Sequence, residues 1–237
     1  FTDQGIACDF VGHPVVAEPV ASEQDAADFR RDTKISDAPL VMVLPGSRAG
    51  EISRLGEIFG AAVAPVIAAH PDARIVVPAA APVADAVKEV VRRWPVAPLV
   101  LDPRDLPIEA ANARKRAAFR AADVALAASG TVSLELAAAQ TPMVVAYRMH
   151  WISFRLIRWM ALVDTVTLVN LVSDTRAVPE FLGPACQPEP IAAALLQTLA
   201  QPTAQLEAME TTMVRLGRDD APPGLRAAQA VLSRMHV

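Results

Sequence analysis

Two short stretches carry residues suited to holding a phosphate. The first is Leu44-Pro45-Gly46-Ser47-Arg48-Ala49-Gly50-Glu51-Ile52, directly after the apolar run Leu40–Leu44. Gly46 lets the backbone approach a ligand, Ser47 can cap a following helix or donate to a phosphate oxygen, and Arg48 presents a two-pronged guanidinium that fits a diphosphate. A plain strand-to-helix turn, with Ser47 as cap and Arg48 in solvent, uses the same residues. The stretch lacks the Gly-Lys-Ser/Thr of a Walker loop and the three-glycine spacing of a dinucleotide fingerprint. The second stretch is Ala127-Ala128-Ser129-Gly130-Thr131-Val132-Ser133-Leu134-Glu135. Small hydroxyl side chains and free NH groups at a helix start favour an anion through orphan donors and the helix dipole. Glu135 follows Thr131 by one helical turn, where a carboxylate can accept bonds from ribose hydroxyls. A capped helix with a helpful first-turn acid is the alternative.

A third apolar run, Met143–Ala146, leads through Tyr147 and Arg148 into a stretch of different character. From Arg148 to Val163 there is no acid, three arginines are present, and two of the chain's three tryptophans fall here. A basic, aromatic helix of this kind suits anionic lipid or an amphiphilic substrate; a core helix with snorkelling arginines has the same composition. His13 and Asn170 are single polar residues in apolar surroundings, which suits hydrogen-bonded structural groups. The histidines are scattered, with no metal-ligand spacing and no Ser-His-Asp order, so neither a metal nor a cofactor is expected. Cys8 and Cys186 read as reduced structural thiols of a cytosolic protein.

Such loops need a scaffold that gathers strand ends. Short aliphatic runs alternate with Ala-rich helical stretches, the pattern of an α/β protein with a doubly wound parallel sheet. Strands are expected at Leu40–Leu44, Arg74–Val77, Leu99–Leu101, Val124–Ala127 and Met143–Ala146. Helices are expected at Glu51–Ala69, Val83–Trp94, Ile108–Ala121 and Val132–Ala139. In open sheets of this kind ligands sit at the carboxyl ends of the strands, where both phosphate-suited stretches fall. The reading divides the chain into a connector over 1–39, a Rossmann-like domain over 40–183 and C-terminal helices over 184–237. Within the connector, Glu18–Pro39 reads as a short helix and a solvated approach to the first strand.

With 237 residues, 53% of them hydrophobic, the chain can bury a sizeable core. A net charge of −4 gives no general attraction for nucleic acid, which is excluded as a partner. The longest uncharged stretches are too short, or too rich in Pro and polar residues, for a membrane-spanning helix. Phe1–Asp9 reads like the middle of a longer protein.

Taken in order, six motifs resemble the lipid-A-disaccharide synthase family. They are Phe10-Val11-Gly12-His13-Pro14; Leu44-Pro45-Gly46-Ser47-Arg48 with Glu51-Ile52; Ser129-Gly130-Thr131 with Leu134-Glu135; Pro142 to Arg148; Asn170-Leu171; and Val178-Pro179-Glu180-Phe181-Leu182. The resemblance implies the C-terminal half of a two-domain GT-B glycosyltransferase. It also implies inverting, metal-free transfer of 2,3-diacylglucosamine from its UDP donor to 2,3-diacylglucosamine 1-phosphate, giving a β-1,6 disaccharide and UDP. By the same resemblance, Arg48 and Asn170 are catalytic, and Gly46, Ser47, Arg48, Ser129, Gly130, Thr131 and Glu135 hold UDP. His13, Tyr147, Arg148 and Glu180 are cleft positions. The general base is expected in an N-terminal domain outside this chain, so the chain alone is expected to bind UDP weakly and turn nothing over. A cytoplasmic protein on the anionic inner membrane of a Gram-negative bacterium, and a possible homodimer, are further implications. Val169 and Gly183 stand where the family commonly has proline and glutamine, and Arg114-Lys115-Arg116 forms a basic insertion of no evident purpose. A UDP-GlcNAc 2-epimerase-like enzyme and a non-catalytic nucleotide-sugar-binding domain are the competing readings.

Overall fold

The computed structural model describes residues 5, 8–128, 130–149, 155 and 163–235. Ser129 and all but a few residues of the acid-free stretch, 150–154 and 156–162, lie outside the described residues. Strands β1 (Leu40–Leu44), β2 (Arg74–Pro78), β3 (Leu99–Leu101), β4 (Val124–Ala127), β5 (Met143–Tyr147) and β6 (Glu180–Leu182) form one sheet, ordered β3-β2-β1-β4-β5-β6. Every pairing is parallel. This is the doubly wound order, and its switch point lies between β1 and β4, where a crevice opens beyond the strands' carboxyl ends.

All five residues of β1 are buried, as expected of a central parallel strand covered on both faces. Leu40, Met42 and Leu44 share a cluster with Phe29, Phe119, Leu134 and Met209. Val41 and Val43, of opposite parity, join Ile52, Leu55, Phe59, Val87 and Ile191. The first cluster draws on α1 (Glu23–Asp32), α4 (Ile108–Ala121), α5 (Val132–Ala138), α6 (Leu168–Ser173) and α8 (Thr203–Arg215). The second draws on α2 (Ala49–Ala69), α3 (Ala84–Val91) and α7 (Pro188–Ala200). A last helix, α9 (Pro223–Met235), follows at the C-terminal end. Helix α2 is long and apolar enough to cross a membrane by length and composition. Its Ile52, Leu55, Phe59, Val63 and Val66 are buried against the sheet, so that hydropathy belongs to a core helix.

The structure departs from the sequence expectations in several places. A sixth strand, β6, extends the sheet beside β5. Helix α3 ends at Val91 rather than Trp94, because the chain turns there and Trp94 Nε1 donates to the Gly56 carbonyl at 2.9 Å. Helix α1 places Ala26 and Phe29 in the core, and its Arg30 binds the Ala121 and Ala38 carbonyls and Asp123.

Candidate functional site

Three loops meet at the carboxyl ends of β1, β3 and β4. In the loop after β1, Glu51 Oε2 accepts from the backbone NH of Ser47 at 2.9 Å and of Arg48 at 3.3 Å, and Oε1 accepts from Arg48 Nη1 at 2.9 Å. Glu51 is only 8% exposed, and the chain's own carboxylate occupies the backbone NH groups of Ser47 and Arg48. Gly46 sits at φ +119°, and a Cβ there would lie 2.5 Å from Glu51 Oε2. The close approach that demands this glycine is therefore made by Glu51. The N-cap of α2 is Arg48, not Ser47, and the first-turn acid reaches back in the manner of a capping box. The Arg48 side chain is 81% exposed and commits one nitrogen to Glu51, which leaves other guanidinium donors for a ligand.

The loop after β3 is closed in the same way. The Asp102 side chain is 1% exposed and accepts from Arg104 Nη2 at 2.7 Å, the Arg104 backbone NH at 2.9 Å and Lys88 Nζ at 2.7 Å. Hydrogen bonds from Arg104, and then from Lys88, hold its carboxyl well below the usual carboxylate range.

The loop after β4 differs. Gly130 has φ +144°, and nothing lies within 4 Å of where a Cβ would stand. Thr131 is exposed and makes no side-chain cap, while Ser133 Oγ donates to the Gly130 carbonyl at 2.9 Å. Glu135, half-buried in the first turn of α5, accepts from Lys115 Nζ at 2.6 Å.

A cavity of about 840 Å³ joins these loops, and Gly46, Ser47, Arg48, Gly130, Thr131 and Glu135 all line it. That volume suits a ligand of nucleotide-sugar size. Glu51, Asn112, Arg114 and Lys115 line it as well. None of these four is among the site residues expected from the sequence; for Glu51 the acid at capping-box spacing from Arg48 is the local signal. A second cavity of about 380 Å³ shares Asn112, Lys115, Thr131 and Glu135 with the first and takes in His13. His13 Nδ1 accepts from the Val15 NH at 3.1 Å.

Four expected site residues, Tyr147, Arg148, Asn170 and Glu180, do not line either cavity. Asn170 is 1% exposed; its Nδ2 donates to the Val178 carbonyl and its Oδ1 accepts from the Val178 NH, both at 2.9 Å. Glu180 accepts from Thr165 Oγ1 at 2.7 Å and from the backbone NH groups of Val166 and Thr167. Tyr147 is half-buried at the end of β5, and Arg148 is exposed beside it.

The family described as lipid-A-disaccharide synthetase matches residues 1–221. This chain belongs to that family. The lipid-A-disaccharide synthase of Ruegeria pomeroyi is 58% identical over 231 residues, and that of Rhodospirillum centenum 43% identical over 237. Each alignment covers 98% of this chain but only 58% and 57% of the respective relative, so the chain spans less than two thirds of their length. Among solved structures, Anabaena Alr3699/HepE in complex with UDP and glucose matches 95% of this chain and 55% of its own, with a TM-score of 0.59 and 14% identity. The E. coli ADP-heptose lps heptosyltransferase II matches 77% of this chain and 53% of its own, with a TM-score of 0.56 and 13% identity. These distant likenesses establish the fold that the family shares with GT-B glycosyltransferases.

Proposed function

We propose that this chain supplies the UDP-donor site of a lipid-A-disaccharide synthase. The full-length enzyme would transfer 2,3-diacylglucosamine from UDP to the 6-position of 2,3-diacylglucosamine 1-phosphate, with inversion, releasing UDP. The observation that carries this reading is the 840 Å³ cavity at the switch point, where both phosphate-suited loops converge. In this reading Arg48 faces the diphosphate from a loop shaped by Gly46 and Ser47. Ser129, Gly130 and Thr131 contact the diphosphate, and Glu135 accepts from the ribose. Departure of UDP builds negative charge, so a guanidinium already held in place lowers the barrier more than it strengthens ground-state binding. Asn170 and Glu180 contribute through the backbone each holds, at Val178 and at Val166 and Thr167.

In this reading the general base belongs to the part of the relatives' length that this chain does not span. A UDP donor with lipid substrates fits a reaction at the cytoplasmic face of the inner membrane, and the acid-free composition of 148–163 supports peripheral contact there. The test is UDP release by the full-length protein, given the diacylated UDP-glucosamine and the 1-phosphate acceptor. Arg48→Ala is expected to lower kcat/KM by about 100-fold or more, the scale of one lost transition-state donor. Wild type that releases no UDP, or that epimerises UDP-GlcNAc instead, contradicts the proposal.

A further inference from the structure

The run Arg114-Lys115-Arg116 has no role in the readings above, yet α4 brings its middle residue to the site. Lys115 Nζ lies 2.6 Å from Glu135 Oε2 and 5.0 Å from the centroid of the Phe119 ring, one turn further along α4. Phe119 is 2% exposed, so the ring is a fixed wall behind the ammonium. Lys115 and Glu135 line both cavities, and their ion pair forms part of the boundary between them.

A carboxylate at the mouth of a cavity has several rotamers available, and choosing one costs entropy when a ligand binds. A cation held against an aromatic face removes that freedom beforehand. A carboxylate offers roughly four acceptor directions. The ammonium takes one, at Oε2, and Oε1 stays available to a pair of neighbouring hydroxyls. The ion pair is 39% and 42% exposed on its two sides, and a pair so accessible to water adds little to folding stability. Its consequence is to be sought in the ligand.

We propose that Lys115 is a positioning residue for the donor's ribose: by fixing the Glu135 carboxylate it sets the preference of the site for a ribonucleotide over a 2′-deoxyribonucleotide. This rests on the reading of Glu135 as the ribose contact. The experiment titrates UDP and 2′-deoxy-UDP into full-length wild type, Lys115→Met, Lys115→Arg and Glu135→Gln, with the Tm of each recorded. Wild type is expected to prefer UDP by about tenfold, the scale of one hydrogen bond to a charged group. Lys115→Met is expected to reduce that preference to about threefold or less without moving Tm, and Lys115→Arg, which can still stack on Phe119 and donate to Oε2, to retain more of it than Lys115→Met. Lys115→Met that keeps the wild-type preference, while Glu135→Gln loses it, overturns the positioning role and leaves the ribose reading standing. Wild type without a preference, Glu135→Gln that retains it, or no saturable UDP binding overturns the ribose reading and the Lys115 proposal with it.

Discussion

The loops after β1 and β4 face the same cavity, but the chain finishes them differently. After β1, a nearly buried carboxylate fills the backbone NH cradle and fastens Arg48 from below. After β4, Gly130 opens onto empty space, Thr131 is exposed, and the only described side-chain tie on Glu135 comes from Lys115. The loop after β3 follows the β1 pattern, with Asp102 in place of Glu51. Two loops are thus closed by internal carboxylates, while in the third no carboxylate accepts from the described backbone NH groups of Gly130, Thr131 and Val132. The difference also moves the positive charge of the first loop outward, from backbone NH groups to the Arg48 side chain.

Glycine substitutions separate the two loops most sharply. Gly46→Ala brings a Cβ to 2.5 Å from Glu51 and strains a positive φ, whereas Gly130→Ala meets only the strain. The expected losses of stability are about 3 and about 1 kcal/mol, near 9 and 3 °C in Tm for a domain of this size. Equal losses at the two sites would break the comparison. Glu51→Ala is expected next in size. It leaves the NH groups of Ser47 and Arg48 without their acceptor and is expected to cost about 2 kcal/mol by denaturant unfolding. Asp102→Asn tests whether the β3 loop shares the design, and here pH is the probe. The Asp102 carboxyl is depressed in the folded state, so its contribution is complete above the ordinary carboxylate value of about 4. That contribution is lost as pH falls below that value toward the folded one. The Tm gap between wild type and Asp102→Asn is therefore expected to be widest near neutral pH and to narrow below about pH 4.

Much of the fold was legible because parallel strands under helices are unbroken apolar runs: the central strands β1 and β4 and the edge strand β3 begin and end where the residues say. Strand β6 was not legible. It is three residues long, starts on an acid and is bounded by Pro179 and Gly183, and only its pairing with β5 makes it a strand. That two loops at strand ends carry Gly46, Arg48, Gly130 and Thr131 was legible locally, and these residues line one cavity. What fills those loops was not. Lys115 meets Glu135 across 20 residues, and Asn170 meets Val178 across 8, through contacts that helix or strand periodicity does not encode. Glu51 was within reach of a local rule, because its spacing from Arg48 is that of a capping box.

The proposed function has UDP in this cavity, with Arg48 on the diphosphate and Glu135 on the ribose. Calorimetric titration of UDP into the chain, beside Arg48→Ala and Glu135→Ala, tests it most directly. Saturable binding is expected in wild type, weakened about tenfold or more by either substitution, near 1.4 kcal/mol each. Variants that bind UDP as tightly as wild type would contradict it, as would wild type and the full-length protein both failing to saturate at millimolar UDP.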